Sequence, residues 1–236
     1  MEIWVVIPTY RNFGQTIGKT LYSLTQQTYR DFRVLIVYKP YSGDKTLDVV
    51  DMFKDKLDIE VIVQRKGYFE EALNIAYRNT DADMLILTDD DAVPEPNWVK
   101  THLILHKEHP KLGVLGGCVV LQSVNKHYRR KLLTETFHRA IGFYKPLFEE
   151  LQNYVCYYND MGIFVSKDLP LKDGEIRQTM GIMGANMSIK RRIYEDFELP
   201  CSTIRGSGNE QLLSLHAILK GFKVFETSLC KVIHLE

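Results

Sequence analysis

The first half of the chain alternates between two kinds of segment, and that alternation limits the folds open to it. Ile3–Ile7, Arg33–Tyr38, Ile59–Val63 and Met84–Thr88 are short, mostly apolar runs rich in β-branched residues. Between them, Gly14 to Gln27, "DKTLDVVDMFKD" and "FEEALNIAYRN" carry helical spacing, the last with apolar residues at 69, 72, 73, 76 and 77. Short apolar strands alternating with amphipathic helices predict a parallel sheet covered on both faces. Such sheets bind ligands at the carboxyl ends of their strands. Each run ends in polar residues, "PTYRN", "KPYSGDK", "QRKG" and "DDD".

The second half is less regular. "KLGVLGGCVVLQ" (111–122) reads as a strand, and "GNEQLLSLHAILKGFKVFE" as a helix closed by Gly221 and then a strand, with "CKVIHLE" a last short strand. Residues 125–145 carry Lys126, Arg129, Arg130, Lys131, Arg139 and Lys145 against Glu135 alone, interleaved with apolar residues. Two readings of this expected helix stand: a solvated charged face, or a basic amphipathic surface for anionic lipid or a lipid-linked substrate.

With 236 residues, of which 45% are hydrophobic, the chain has material for one core, folding of which typically buries roughly 70–75% of the accessible surface. The expectation is a single domain over 1–236, with a regular first half (1–120) and a second half (121–236) whose insert spans about 122–175. Thirty basic and thirty acidic side chains cancel, so no global charge points to nucleic acid. Cys118, Cys156, Cys201 and Cys230 form no CxxC pair, which reads as free thiols in a reducing cytoplasm. The apolar run near the start is five residues long and no window approaches eighteen, so the expectation is a cytoplasmic protein whose membrane contact is at most peripheral, at the inner face, through 125–145.

The aspartates Asp89, Asp90 and Asp91 end the fourth run, and nothing in the next eight residues neutralises them. Three adjacent carboxylates repel one another, so they either cap the following segment or hold a cation. Their company favours the second. "VVIPTYRNFGQTIGKTLYSLTQQTYRDFRVLIV", "RKGYFEEALNIAYRNTDADMLILTDDDAVPEPNWV", "GIMGANMSIKRRIYE" and "GNEQLLSLHAILKGFKVFETSLCKVIHL" resemble, in order, four stretches of the family 2 glycosyltransferases of GT-A fold. The match runs over about 1–120 and 175–236.

The resemblance implies an α/β fold with a mixed, mainly parallel sheet flanked by helices and a partly helical insert. It implies inverting, metal-dependent transfer of a sugar from a nucleotide-diphosphate donor to a hydroxyl of a glycan, lipid-linked or protein acceptor. By it, Asp91 of the Asp-x-Asp motif binds Mn²⁺ or Mg²⁺, His234 completes the metal shell, and Asp89 faces the ribose or metal-bound water, with Asp90 between them. Neutral imidazole suits Mn²⁺ better than Mg²⁺. Pro8, Thr9, Tyr10 and Arg11 form the turn beside the base, Lys66 sits near base or phosphates, and Gly184, Ala185 and Asn186 border the donor sugar. Glu210 is the candidate base, because direct displacement needs one carboxylate within reach of the attacking hydroxyl. The family has Glu-Asp where this chain has Asn209-Glu210, and a loop, "IRGSGNE", precedes it with Arg205 as a candidate diphosphate contact. The family also has Val-Asp-Asp-Gly-Ser after the second strand, where this chain has Val37, Tyr38, Lys39, Pro40, Tyr41 and Ser42. The aspartate that contacts the base is therefore missing, and Tyr38 or Lys39 becomes the candidate reader. These departures keep a second reading open, a catalytically silent sugar-nucleotide or partner-binding module. A nucleotidyltransferase expects a glycine-rich phosphate loop that "PTYRNFGQT" does not supply. Processive synthases carry Gln-x-x-Arg-Trp, which is absent too, so single additions are expected.

Overall fold

The computed structural model describes residues 1–121, 142–167, 169–201 and 208–235. The four runs form β1 (Ile3–Tyr10), β2 (Arg33–Lys39), β3 (Ile59–Val63) and β4 (Met84–Leu87), joined by α1 (Ile17–Thr25), α2 (Thr46–Asp51) and α3 (Phe69–Asn79). Next come β5 (Ala92–Pro94) and α4 (Trp98–Glu108), neither of them forecast. Then come β6 (Leu112–Leu121), a 3-10 turn at Glu149–Asn153, β7 (Cys156–Tyr158), β8 (Phe164–Ser166) and β9 (Ile176–Gln178). A second 3-10 turn, Gly184–Asn186, leads into β10 (Met187–Lys190), α5 (Arg191–Tyr194), α6 (Asn209–Leu219) and β11 (Lys223–His234).

Nine strands make one sheet in the order β3-β2-β1-β4-β10-β6-β11-β5, with β9 on the outer side of β11. The pairings β1 with β2 and β4, β2 with β3, and β6 with β11 are parallel. Those of β10 with β4 and β6, and of β11 with β5 and β9, are antiparallel. The sheet is mixed because β10 reverses between β4 and β6, a topological switch in the middle of the sheet. Alternation along each strand divides the core in two. Trp4, Val6, Leu35, Val37, Leu85 and Leu87 face α3 and α6; Ile3, Val5, Ile7, Val34, Ile36, Met84 and Ile86 face α1, α2 and α4.

Two expectations need correction. The last two runs are one strand, not two, broken by a register shift: Glu226 pairs with Gly116 and Lys231 with Cys118. The bulge relieves the mismatch between the half paired to β9 and the half paired to β5. The basic tract is not helical at its end, since residues 142–145 form turns, with Phe143 and Tyr144 packed on the core; residues 125–141 lie outside the described residues. The described part of the insert is a 3-10 turn and the β7–β8 hairpin; its expected helical part falls on 122–141, outside the described residues.

Candidate active site

The carboxyl ends of β1, β2, β3 and β4 open on a cleft of about 640 Å³ lined by Pro8, Thr9, Tyr10 and Arg11, by Lys39, Gln64, Tyr68 and Phe69, and by the three aspartates with His234. That volume suits a nucleotide-sized ligand. A second cleft of about 400 Å³ is lined by Leu121, Ile182, Met183, Gly184, Ala185 and Glu210, and shares Phe69, Asp89 and His234 with the first. The two clefts therefore meet at Asp89 and His234.

The aspartates take different roles. The Thr9 hydroxyl donates to an Asp90 carboxylate oxygen, and the Asn12 amide donates to the Asp90 carbonyl at 3.3 Å. Asn12 Oδ1 meanwhile accepts the N–H groups of Thr16 and Ile17 at 3.2 Å, which starts α1. Asp90 thus ties the turn after β1 to the end of β4. Burial pushes its carboxyl up to about 6, against the pull of the Thr9 bond.

Asp89 and Asp91 point the other way. His234 Nε2 lies 3.5 Å from Asp89 Oδ2 and 3.3 Å from Asp91 Oδ1, and one ligand atom from each of the three residues falls within 4.8 Å of the others. Register brings them together: His234 pairs with Ala92 across the β5–β11 ladder, and the Leu235 N–H donates to the Asp91 carbonyl at 2.7 Å. Burial and the neighbouring Asp91 hold the Asp89 carboxyl above its usual range. Two carboxylates and an imidazole on one side of an open cleft fit a six-coordinate divalent ion that keeps positions for phosphate oxygens.

Glu210 lies in the first turn of α6, after Gly208 in the left-handed conformation (φ +82°). Burial raises its carboxyl and Asp89 adds to the rise, while its own N–H and that of Gly184 pull the other way. A Cβ on Gly184 would stand 2.6 Å from Glu210 Oε1, so a larger residue there would push the carboxylate from its place. Arg205 lies outside the described residues.

The remaining forecast residues divide sharply. Pro8, Thr9, Tyr10 and Arg11 line the first cleft, with the Arg11 guanidinium 4.1 Å from the Tyr41 ring centre. Tyr38 does not join them. Strand alternation turns it into the core beside Ile36 and Val50, and its neighbour Lys39 takes the cleft side. Lys66 is exposed and outside the lining; it meets the cleft wall through its carbonyl, which accepts from Gln64 at 2.9 Å.

Gly184 and Ala185 line the second cleft, but Asn186 is fully buried behind it (0% exposed). Its Nδ2 donates to the carbonyls of Cys118 and Cys230 at 3.0 and 3.1 Å, filling the break in the β6–β11 ladder. Its Oδ1 accepts from Trp98 Nε1 at 2.8 Å and lies 3.2 Å from His102 Nε2. Sequence reasoning missed Gln64, Tyr68, Phe69 and Asn12. Gln64 directly follows β3, where the strand-end rule alone points.

A sequence model of glycosyl transferase family 2 matches residues 4–169. The chain belongs to that family. Validoxylamine A glucosyltransferase of Streptomyces hygroscopicus subsp. jinggangensis is 35% identical over 138 residues, 56% of this chain and 32% of its own length. A dolichyl N-acetyl-glucosaminyl phosphate diacetamido-dideoxy-glucuronosyltransferase of Methanococcus voltae is 30% identical over 125 residues, 50% of this chain and 39% of its own. This family 2 chain thus spans about a third of the length of those relatives. Its fold is that of S. aureus TarS 1-349, solved with UDP-GlcNAc: TM-score 0.66 at 19% identity, covering all of this chain and 59% of the other. The expected GT-A architecture is borne out.

Proposed function

We propose that the chain catalyses metal-dependent, inverting transfer of a sugar from a nucleotide-diphosphate donor to an acceptor hydroxyl. One observation carries this: two clefts meet at Asp89 and His234, and a half-buried carboxylate, Glu210, stands in the second. The nucleotide lies in the first cleft, the sugar crosses the junction, and the acceptor enters the second.

Asp91, His234 and Asp89 would hold Mn²⁺ or Mg²⁺, the imidazole favouring Mn²⁺. When bound, that ion supplies positive charge opposite the diphosphate as the sugar–phosphate bond breaks. Glu210 accepts the proton of the acceptor hydroxyl as its oxygen bonds to the anomeric carbon, and the bond to the diphosphate opens on the opposite face. A raised carboxyl pKa suits this base, because Glu210 gains basicity while burial keeps water from it. Gly184 fixes the carboxylate, and Gly184 and Ala185 leave room for the sugar. Tyr10 and Arg11 flank the base.

The acceptor is a glycan, lipid-linked or protein hydroxyl. The lipid-linked choice is supported by the Methanococcus relative, whose name carries a dolichyl phosphate; in that case the 125–145 tract makes a peripheral contact at the inner membrane face. Among the described residues no helix is long and apolar enough to cross a membrane. The 1–120 half serves the nucleotide and the 121–236 half the acceptor within one domain.

Calorimetry with UDP, dTDP, GDP, CDP and ADP, with Mn²⁺ and with EDTA, tests this reading. Metal-dependent binding of at least one nucleotide, together with release of that nucleotide from its sugar conjugate, is expected. Binding without turnover on any acceptor would leave a silent binding module in its place.

A further inference from the structure

On the core side of Glu210 lies a small cavity of about 10 Å³. Its polar walls are Tyr77, Asn209 and Glu210, and core residues such as Leu73, Leu87 and Leu213 make up much of the rest. Tyr77 comes from α3, while Asn209 opens α6 one residue before Glu210. Both Tyr77 and Asn209 are 4% exposed. Neither the Tyr77 hydroxyl nor Asn209 Nδ2 has a hydrogen-bond partner among the described residues.

The Tyr77 ring is held in place. It stacks on Tyr194 with centres 5.8 Å apart and 28° between planes, and lies 6.5 Å from Phe197, so packing fixes where its hydroxyl points. Burial and then the charge of Glu210 raise the phenol above its ordinary range, which puts the carboxylate within electrostatic reach of the ring. Buried donors left unmet are costly. A cavity of this volume takes one water, which needs about two to four polar partners. Tyr77, Asn209 and Glu210 supply two donors and an acceptor.

We infer that Tyr77 and Asn209 are positioning residues for Glu210: one water in this cavity accepts from the Tyr77 hydroxyl and Asn209 Nδ2 and donates to the Glu210 carboxylate. Apolar walls strengthen such bonds. The carboxylate is then held from two sides, by the N–H groups of Gly184 and of its own residue and by the water against the core. Tyr77 and Asn209 do not line the second cleft, so they act on the reaction through Glu210. The catalytic consequence rests on the reading of Glu210 as the base.

The first test needs no substrate. Urea midpoints are measured for the natural chain, Tyr77→Phe, Glu210→Ala and the double variant. Tyr77→Phe removes one hydroxyl, and it should lower the midpoint in the natural chain and do so by less than half as much beside Glu210→Ala. Tyr77→Phe should couple in the same way to Asn209→Ala, on the other helix. A hydroxyl without partners would leave the midpoint unchanged or raise it when removed; that result, or equal losses in every background, would overturn the inference. The second test is release of nucleoside diphosphate from UDP-, dTDP- and GDP-linked glucose in Mn²⁺. Tyr77→Phe should lower kcat about tenfold, the scale of a sub-ångström misplacement, leave the calorimetric nucleotide affinity unchanged, and have no further effect beside Glu210→Ala. An equal fall in that background, or a matching loss of nucleotide affinity, would mark a packing defect and overturn the positioning role. No release by the natural chain from any of these donors would count against the transferase reading, while the midpoint cycles would still decide whether Tyr77 and Asn209 hold Glu210.

Discussion

The two clefts share Asp89 and His234 but are built differently. The first is made chiefly by the ends of adjacent parallel strands, so Pro8 to Arg11, Lys39, Gln64 and the aspartates each sit at the end of an apolar run, while Tyr68 and Phe69 come from the start of α3 and His234 from β11. Its contents follow from strand alternation and the strand-end rule. The second is assembled from a turn before β10, the first turn of α6 and the ends of β6 and β11, parts separated by up to about half the chain. It is held from behind by buried polar groups rather than by a continuous ladder. The lesson is that ligand binding and catalysis in this molecule depend on differently supported frames, and substitutions should separate them.

The sharpest separation is Glu210→Gln. Removing the base should lower turnover about 1000-fold and leave the calorimetric affinity for the nucleotide unchanged. Loss of nucleotide affinity along with turnover would mean that the two clefts are not separable. On the other side, Asp91→Ala should weaken Mn²⁺-dependent nucleotide binding by about 100-fold or more, since loss of even an outer-shell group around a metal costs about 10- to 100-fold. Asp90→Asn should cost far less there, because Asp90 is engaged with Thr9 and Asn12 rather than with His234. Equal losses would show that the three aspartates act as one group.

The same contrast explains what the sequence discloses. α3 is forecast at its observed bounds, since an amphipathic period over eleven residues needs no partner to be recognised. Asp89, Asp91, His234 and Glu210 could be named because their resemblance lies in contiguous motifs. Tyr38 fails for a reason one residue wide: strand alternation gives the cleft to Lys39 and the core to Tyr38. Asn186 fails because its role depends on the bulge in β11, and nothing local to Asn186 announces a break in a ladder forty residues away. At the end of the basic tract, charge interleaved with apolar residues describes a helix and a core-packed turn equally well, and Phe143 and Tyr144 take the turn.

Behind the second cleft the hydrogen bonds leave one consistent arrangement of protons. Asn186 Oδ1 is an acceptor, so His102 Nε2 carries a hydrogen and its Nδ1 accepts from the Ser188 hydroxyl at 2.8 Å. Ser188 Oγ then accepts from His106 Nε2, also at 2.8 Å. Both rings are neutral in that chain. Burial, the largest cause, pushes His102 down to about 4 and His106 to about 3, with Lys190 and His102 adding to the second. Folded pKa values below the unfolded value near 6.5 mean that the unfolded chain binds more protons as pH falls. The stability is complete above about pH 6.5 and is lost progressively toward pH 4 and below. At pH 5 a single such histidine accounts for about 2 kcal/mol, read as a lower urea midpoint. His102→Gln should flatten that pH dependence, and a dependence unchanged in it would remove the histidine pair as the cause.

The smallest expected effect probes how closely the second frame fits its carboxylate. Gly184 is followed by Ala185, whose carbonyl accepts from the Thr88 hydroxyl at 3.0 Å, and by Asn186 with its four partners. The turn therefore cannot retreat without breaking buried hydrogen bonds. A methyl group at Gly184 would stand 2.6 Å from Glu210 Oε1, and the side chain of Glu210, with rotatable bonds, is the part free to move. Gly184→Ala should thus displace the base by a fraction of an ångström to about 1 Å and lower turnover about tenfold, less than the hundredfold that a full 1 Å error can cost. Stability should change little, because the cost falls on a side chain at the cleft edge. If Gly184→Ala instead lowers stability strongly and leaves turnover per folded molecule intact, the backbone has moved in place of the carboxylate. Glu210 would then be positioned by α6 alone, and the second cleft would be as independent of its turn as the first is of the insert.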